Sequence, residues 1–111
     1  MGGWASSWNQ YQAVDHELDR LAASPSAVVM VNNPPGFYIA SGRSAILIPN
    51  GGLETLMAAA GKYHGEYLVL EENSVKDLLP LYRQPRDLPG LDYLNVVGEK
   101  IYLFKITPAN Q

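Results

Sequence analysis

Apolar positions follow two rhythms along this chain: a helical spacing of three and four residues in some stretches, and short unbroken runs in others. Tyr11, Val14, Leu18, Leu21 and Ala22 recur at helical spacing, with Asp15, Glu17, Asp19 and Arg20 on the opposite face and Ser24-Pro25 ending the pattern. Residues 27–31 are a β-branched apolar run bounded by Asn32-Asn33, the pattern of a buried strand. Pro34-Pro35 can open a helix, because proline in a first turn gives up no needed N–H. The spacing predicts a short aromatic helix over 37–41, closed by Gly42, and a second strand over 45–48 stopped by Pro49.

The clearest helix follows Gly51-Gly52. Leu53, Leu56, Met57, Ala60 and Tyr63 share a face, Glu54 lies in the first turn, Lys62 and His64 lie in the last, and Gly65 is the expected stop. Residues 67–70 predict a third strand. Ser74 with Asp77 resembles a capping box, and Pro80 must kink or end the helix it starts. Residues 84–90 predict a loop, and 93–97 with 101–106 predict a hairpin turning at Gly98-Glu99. Strands separated by helices imply right-handed crossovers and parallel pairing, to which the hairpin adds antiparallel strands. The expected fold is α/β: a small three-layer α/β/α sandwich with a mixed, mainly parallel sheet of about five strands and a C-terminal β-hairpin.

The 111 residues suit one domain, residues 1–111, with Met1-Gly2-Gly3 read as an appended start. Net charge is −3, and the 8 basic residues are scattered, which argues against a nucleic-acid partner. Cysteine is absent, excluding disulfides, a thiolate nucleophile and Cys-based metal sites. No apolar stretch approaches the about 20 residues that span a bilayer, so the isolated chain is expected to be soluble.

Candidate chemistry gathers at the carboxyl ends of the predicted parallel strands, where open α/β sheets bind ligands. Asn32 and Asn33, Asn50, and Glu71 and Glu72 occupy those ends, and Gly51 and Gly52 lead into a helix N-terminus suited to an anion. Asn capping and a solvated Glu71-Glu72 edge account for the same residues without a ligand. Gly36 and Gly42-Arg43-Ser44 invite comparison with the phosphate loop GxxxxGK[ST], but the glycines are one residue too far apart and Arg43 replaces the lysine. Phe37, Tyr38 and Ile39 are also too bulky to wrap phosphate; Arg43 stays a ligand candidate or a clasp on helix-end carbonyls. His16 and His64 lack metal-ligand spacing, so neither a metal nor a cofactor is expected. Adjacent Glu71 and Glu72 would point to opposite sides, a poor acid and base pair. Trp4 and Trp8 read either as core packing or as an aromatic belt beside a membrane.

The run NNPPGFYIASGRSAILIPNGG, followed by LETLMAAAGKY and then EYLVLEEN, resembles the soluble C-terminal domain of polytopic membrane glycosyltransferases related to dolichyl-phosphate-mannose protein mannosyltransferases. That group carries a pattern like NPPxFYxxTGR, an aliphatic strand ending in Pro, a helix, and KYxxxYLVL. The likeness covers residues 28–73, with Ser41 where Thr is frequent. It implies an ancillary domain on the extracytoplasmic face of the cell membrane, partnered by the membrane-embedded part of its parent and by a sugar or glycan acceptor. In that family the catalytic acids, which handle a polyprenyl-phosphate sugar donor, lie in loops of the membrane part, so no catalytic residue carries over to this chain. The alternative from the residues themselves is a stand-alone binding or regulatory module for an anionic or sugar-phosphate ligand over Asn32, Asn33, Asn50, Gly51 and Gly52. An enzyme in its own right would instead need a perturbed acid in a cleft beside Glu71, Glu72 or Arg43.

Overall fold

The computed structural model describes residues 3–72, 74–98 and 100–107, with side chains from Trp8 onward. Helix α1 (Gly3–Arg20) starts earlier than its apolar stripe, and the side chain of Trp4 lies outside the described residues while Trp8 is partly buried. The helix closes at Ala22, whose φ of 63° sends the Ala23 N–H back to the Leu18 carbonyl and its own N–H to Asp19. This Schellman closure comes two residues before Ser24-Pro25, with Ala23 packed on the apolar cluster that contains Leu18.

The chain then alternates strand and helix: β1 (Val28–Val31), α2 (Pro34–Ser41), β2 (Ala45–Leu47), α3 (Leu53–Tyr63) and β3 (Gly65–Leu70). A 3-10 turn (Lys76–Leu78) and α4 (Leu79–Arg83) precede the hairpin of β4 (Leu91–Val97) and β5 (Ile101–Ile106). The sheet runs β2-β1-β3-β5-β4; β1 pairs in parallel with β2 and β3, while β5 is antiparallel to both β3 and β4. The protein is thus an α/β fold with a five-stranded mixed sheet.

Side-chain alternation on these strands divides the core into two layers. Val29, Val31, Val69 and Leu103 face Tyr11, Val14 and Leu18 of α1 and Phe37 of α2. Met30, Leu68, Leu70, Phe104 and Ile106 face Leu56 and Ala60 of α3 with Leu78 and Leu81. One register row, Ile46, Met30, Leu68, Phe104 and Tyr93, crosses the whole sheet. Phe37, fully buried, contributes on the order of 2–3 kcal/mol by leaving water. It also meets the Tyr11 ring edge-on, with centroids 5.4 Å apart.

Three local expectations are corrected. Helix α3 ends on His64 in the left-handed region at φ 61°, and Gly65 already belongs to β3. Gly65 is small for want of space: a Cβ there would meet Met30 Sδ at 3.2 Å and the Ala60 Cα at 3.4 Å. The capping box does not form, because Val75 takes the N-cap position and the buried Ser74 Oγ has no hydrogen-bond partner. Pro80 sits in the first turn of α4, where its missing N–H costs nothing, so the change of helix type falls just before it.

Candidate functional site

In the order β2-β1-β3-β5-β4 the connection out of β1 runs toward β2 and the one out of β3 runs the opposite way toward β4, which puts the topological switch point between the carboxyl ends of β1 and β3. Asn32 and Asn33 follow β1 there, and Glu71 follows β3. Tyr11 reaches the same place from α1 and donates its hydroxyl to Glu71 Oε2 at 2.7 Å. The Asn32 N–H also donates to the Glu71 carboxylate, and the Asn33 N–H donates to the Tyr11 hydroxyl. Burial raises the Glu71 carboxyl above its usual range, opposed by the bonds from Tyr11 and Asn32. Burial, and then the bond to Glu71, pushes the Tyr11 phenol upward, so it serves as a neutral donor.

Asn33 has a second duty. Its Oδ1 accepts the Gly36 N–H at 3.1 Å as the N-cap of α2, with Pro34 beginning the helix. A Cβ on Gly36 would lie 2.6 Å from Asn33 Nδ2, so glycine there makes room for the cap. At the other end of α2, Ser41 Oγ donates to the Phe37 carbonyl at 2.6 Å and accepts the Arg43 N–H at 3.0 Å, bonds that a threonine hydroxyl makes equally. Gly42 closes the helix at φ 77°.

Arg43 stands at the opposite edge of the sheet, before β2, away from the switch point. Its side chain is 6% exposed. Nε donates to Asp15 Oδ1 at 2.7 Å, Nη2 to Asp19 Oδ1 at 2.7 Å and Nη1 to the Ser24 carbonyl at 3.0 Å. These bonds clasp the start of β2 to the C-terminal half of α1.

Asn50, Gly51 and Gly52 follow β2, and Asn50 and Gly51 border a cavity of about 270 Å³ shared with Val75, Lys76 and Asp77. Gly52 is the N-cap of α3 and provides no side-chain bond to its first turn. Gly51 adopts φ 115° against Thr55, whose Oγ1 would lie 2.5 Å from an added Cβ. Glu72 diverges from Glu71: it is exposed, and its Oε1 lies 4.0 Å from Lys100 Nζ.

The structure therefore unites Asn32, Asn33 and Glu71, sets Asn50 and Gly51 beside a separate cavity with Gly52 as the N-cap of α3, and leaves Arg43 and Glu72 apart from both. Tyr11 is the member that sequence reasoning missed. Its signal was a polar-tipped aromatic on an otherwise apolar helix face, since a buried tyrosine hydroxyl needs a partner. Among the described residues, no group of three His, Cys, Asp or Glu side chains is placed to hold a metal ion. No described helix is long and apolar enough to cross a membrane. Set beside known proteins, the chain matches no protein-family model, no curated protein and no solved structure.

Proposed function

We propose that this chain is a non-catalytic ancillary domain of a membrane glycosyltransferase that uses a polyprenyl-phosphate sugar donor, held at the extracytoplasmic face. The observation that carries the reading is how the resembling residues are used. Asn33, Pro34, Gly36, Ser41 and Gly42 cap, start, make room for and close α2, and Arg43 clasps the start of β2 to α1. The resembling pattern thus encodes a way of building the β1-α2-β2 corner, which is what a domain used for architecture and docking needs.

The course of α1 supports the same reading. Tyr11 meets Glu71 at the carboxyl edge of the sheet and Asp19 meets Arg43 at the other edge, so α1 runs against β1 and points its N-terminal turns past the switch point. A spanning segment joined ahead of α1 would hold that edge toward the membrane part of the parent and toward a sugar or glycan acceptor. Reading the gene upstream of the codon for Trp4 tests the proposal. Several encoded spanning helices are expected; an in-frame stop directly upstream would contradict it.

The cavity beside Asn50, Gly51 and Lys76 favours a second reading, a module that binds an anionic or sugar-phosphate ligand. Titration calorimetry with sugar phosphates and polyprenyl phosphate analogues tests it. Heat that disappears in Lys76→Ala supports this reading, and silence across the panel removes it.

A further inference from the structure

Strand β2 ends the sheet, and among the described residues no strand pairs with its outer side. The Ser44 carbonyl accepts from the Val29 N–H, and the Ile48 N–H donates to the Val31 carbonyl, both toward β1. Alternation along a parallel ladder then turns the backbone of Ile46 toward β1 and that of Ala45 and Leu47 away from it. These two residues offer two N–H and two C=O groups to another strand. The far edge, β4, is guarded by a bulge between Tyr93 and Asn95 and by exposed Asp92. At β2, charge is missing: between Arg20 and Glu54 the only charged residue is Arg43, which turns inward to Asp15 and Asp19. A groove of about 340 Å³ runs along the open edge, with Pro34, Leu47 and Tyr63 in its lining. Tyr38, Ile39, Leu47 and Tyr63 are 60%, 66%, 61% and 52% exposed.

We infer that the β2 edge pairs with the same edge of a second copy of this chain, antiparallel about a two-fold axis at Ile46. Ala45 then faces the partner's Leu47 and Leu47 faces the partner's Ala45, each pair exchanging two N–H···O bonds. A two-fold normal to the sheet keeps like faces together, so α2 meets its counterpart on one side and α3 on the other. No like charges oppose each other along the seam. Lys62, 5.4 Å from the centre of the Tyr63 ring, lies at the rim. At about 200 Å² for each large side chain, the exposed Leu47 and Tyr63 of the groove supply roughly 230 Å² per copy. Pairing would also cover the rest of the groove lining, Pro34, Ala45, Ile46, Pro49 and Ala59. A charged peptide would find no counter-ion on this edge, which favours self-pairing. The inference stands independently of the parent protein's identity.

Sedimentation equilibrium on the 111-residue chain, with Leu47→Lys and Leu47→Pro beside it, tests the pairing. Leu47 is exposed and its N–H points outward, so neither substitution breaks a bond of the single chain; circular dichroism checks that both fold. The expected wild-type result is a dimer at concentrations of about 100 μM, with each variant weakening it at least about tenfold. Hydrogen exchange on the wild type gives a second readout, in which Ala45 and Leu47 amides gain protection with concentration while Ile46 is protected throughout. A chain that stays monomeric, a dimer indifferent to both variants, or Ala45 and Leu47 amides that exchange freely at every concentration would overturn the inference.

Discussion

The Tyr11 hydroxyl and the Glu71 carboxylate, 60 positions apart in the chain, meet at 2.7 Å and fasten α1 to the carboxyl edge of the sheet. Tyr11→Phe keeps the ring packed on Phe37 and removes that bond together with the one the hydroxyl accepts from the Asn33 N–H. The expected loss is about 1–2 kcal/mol, because Glu71 stays partly buried with one donor fewer. Since the bond lowers the Glu71 pKa, the variant should also raise it further, which carboxyl NMR titration reads directly. An unmoved Glu71 titration would show that the bond is not made in solution.

Glu71 and Glu17 give the stability curve opposite slopes with pH. Burial raises Glu71 above its ordinary 4.5, so its contribution is fully present below pH 4.5 and is lost as pH rises toward the raised value. Glu17 accepts bonds from Arg20 and Asn95, which hold it down to about 2. Its contribution is present above pH 4.5 and is lost as pH falls toward 2. Urea unfolding across pH should show Glu71→Gln gaining on the wild type above pH 4.5 and Glu17→Gln converging with it at acid pH. Curves that stay parallel would contradict both assignments.

Arg43→Ala removes donors from Asp15 and Asp19 and leaves the Ser24 carbonyl without its guanidinium partner. Asp19 is largely exposed, so the expected cost is about 2 kcal/mol, below that of breaking a fully buried pair. For a domain of this size the melting temperature should fall by roughly 10 °C. Arg43→Lys should recover only part, since one ammonium cannot reproduce the planar fork. An unchanged melting temperature in Arg43→Ala would free the residue for a ligand.

Two glycines on neighbouring elements should respond with opposite signs. Gly61 is an exposed position inside α3 with open space at its Cβ, so Gly61→Ala should stabilise by about 0.8 kcal/mol. At Gly65 the new Cβ meets Met30 and the Ala60 backbone, and Met30 is fully buried with little room to yield. Gly65→Ala should cost about 1–2 kcal/mol. Denaturant midpoints decide, and a shared sign would refute the packing around Gly65.

Local signals carried most of this architecture into the sequence. The β-branched run ending at Asn32, the Gly42 close and the Gly98 turn are short-range chemistry, and the structure uses each where the pattern points, while the helix expected over 37–41 begins three residues earlier at Pro34. What stayed hidden was non-local. Nothing near Arg43 indicates that Asp15 and Asp19 will reach it, and nothing near Glu71 indicates Tyr11, because those pairs exist only after α1 docks. Gly65 looked like a helix stop, although its smallness answers to Met30 across the β1–β3 pairing, a fact of register. Ser74 and Asp77 had the spacing of a cap, yet the turn began one residue later at Val75. The carboxyl ends of the parallel strands could be named from the alternation of strands and helices, but which of them meet depends on strand order, and only the sheet brings Asn32 beside Glu71 and leaves Asn50 at a separate cavity.

The most direct test of the ancillary-domain reading is an immunoblot of fractionated source cells with antibodies raised against the folded chain. The account predicts one integral membrane protein several times longer than 111 residues, with the epitope reached by protease from the extracytoplasmic side. A freely soluble product of about this chain's own length would contradict it.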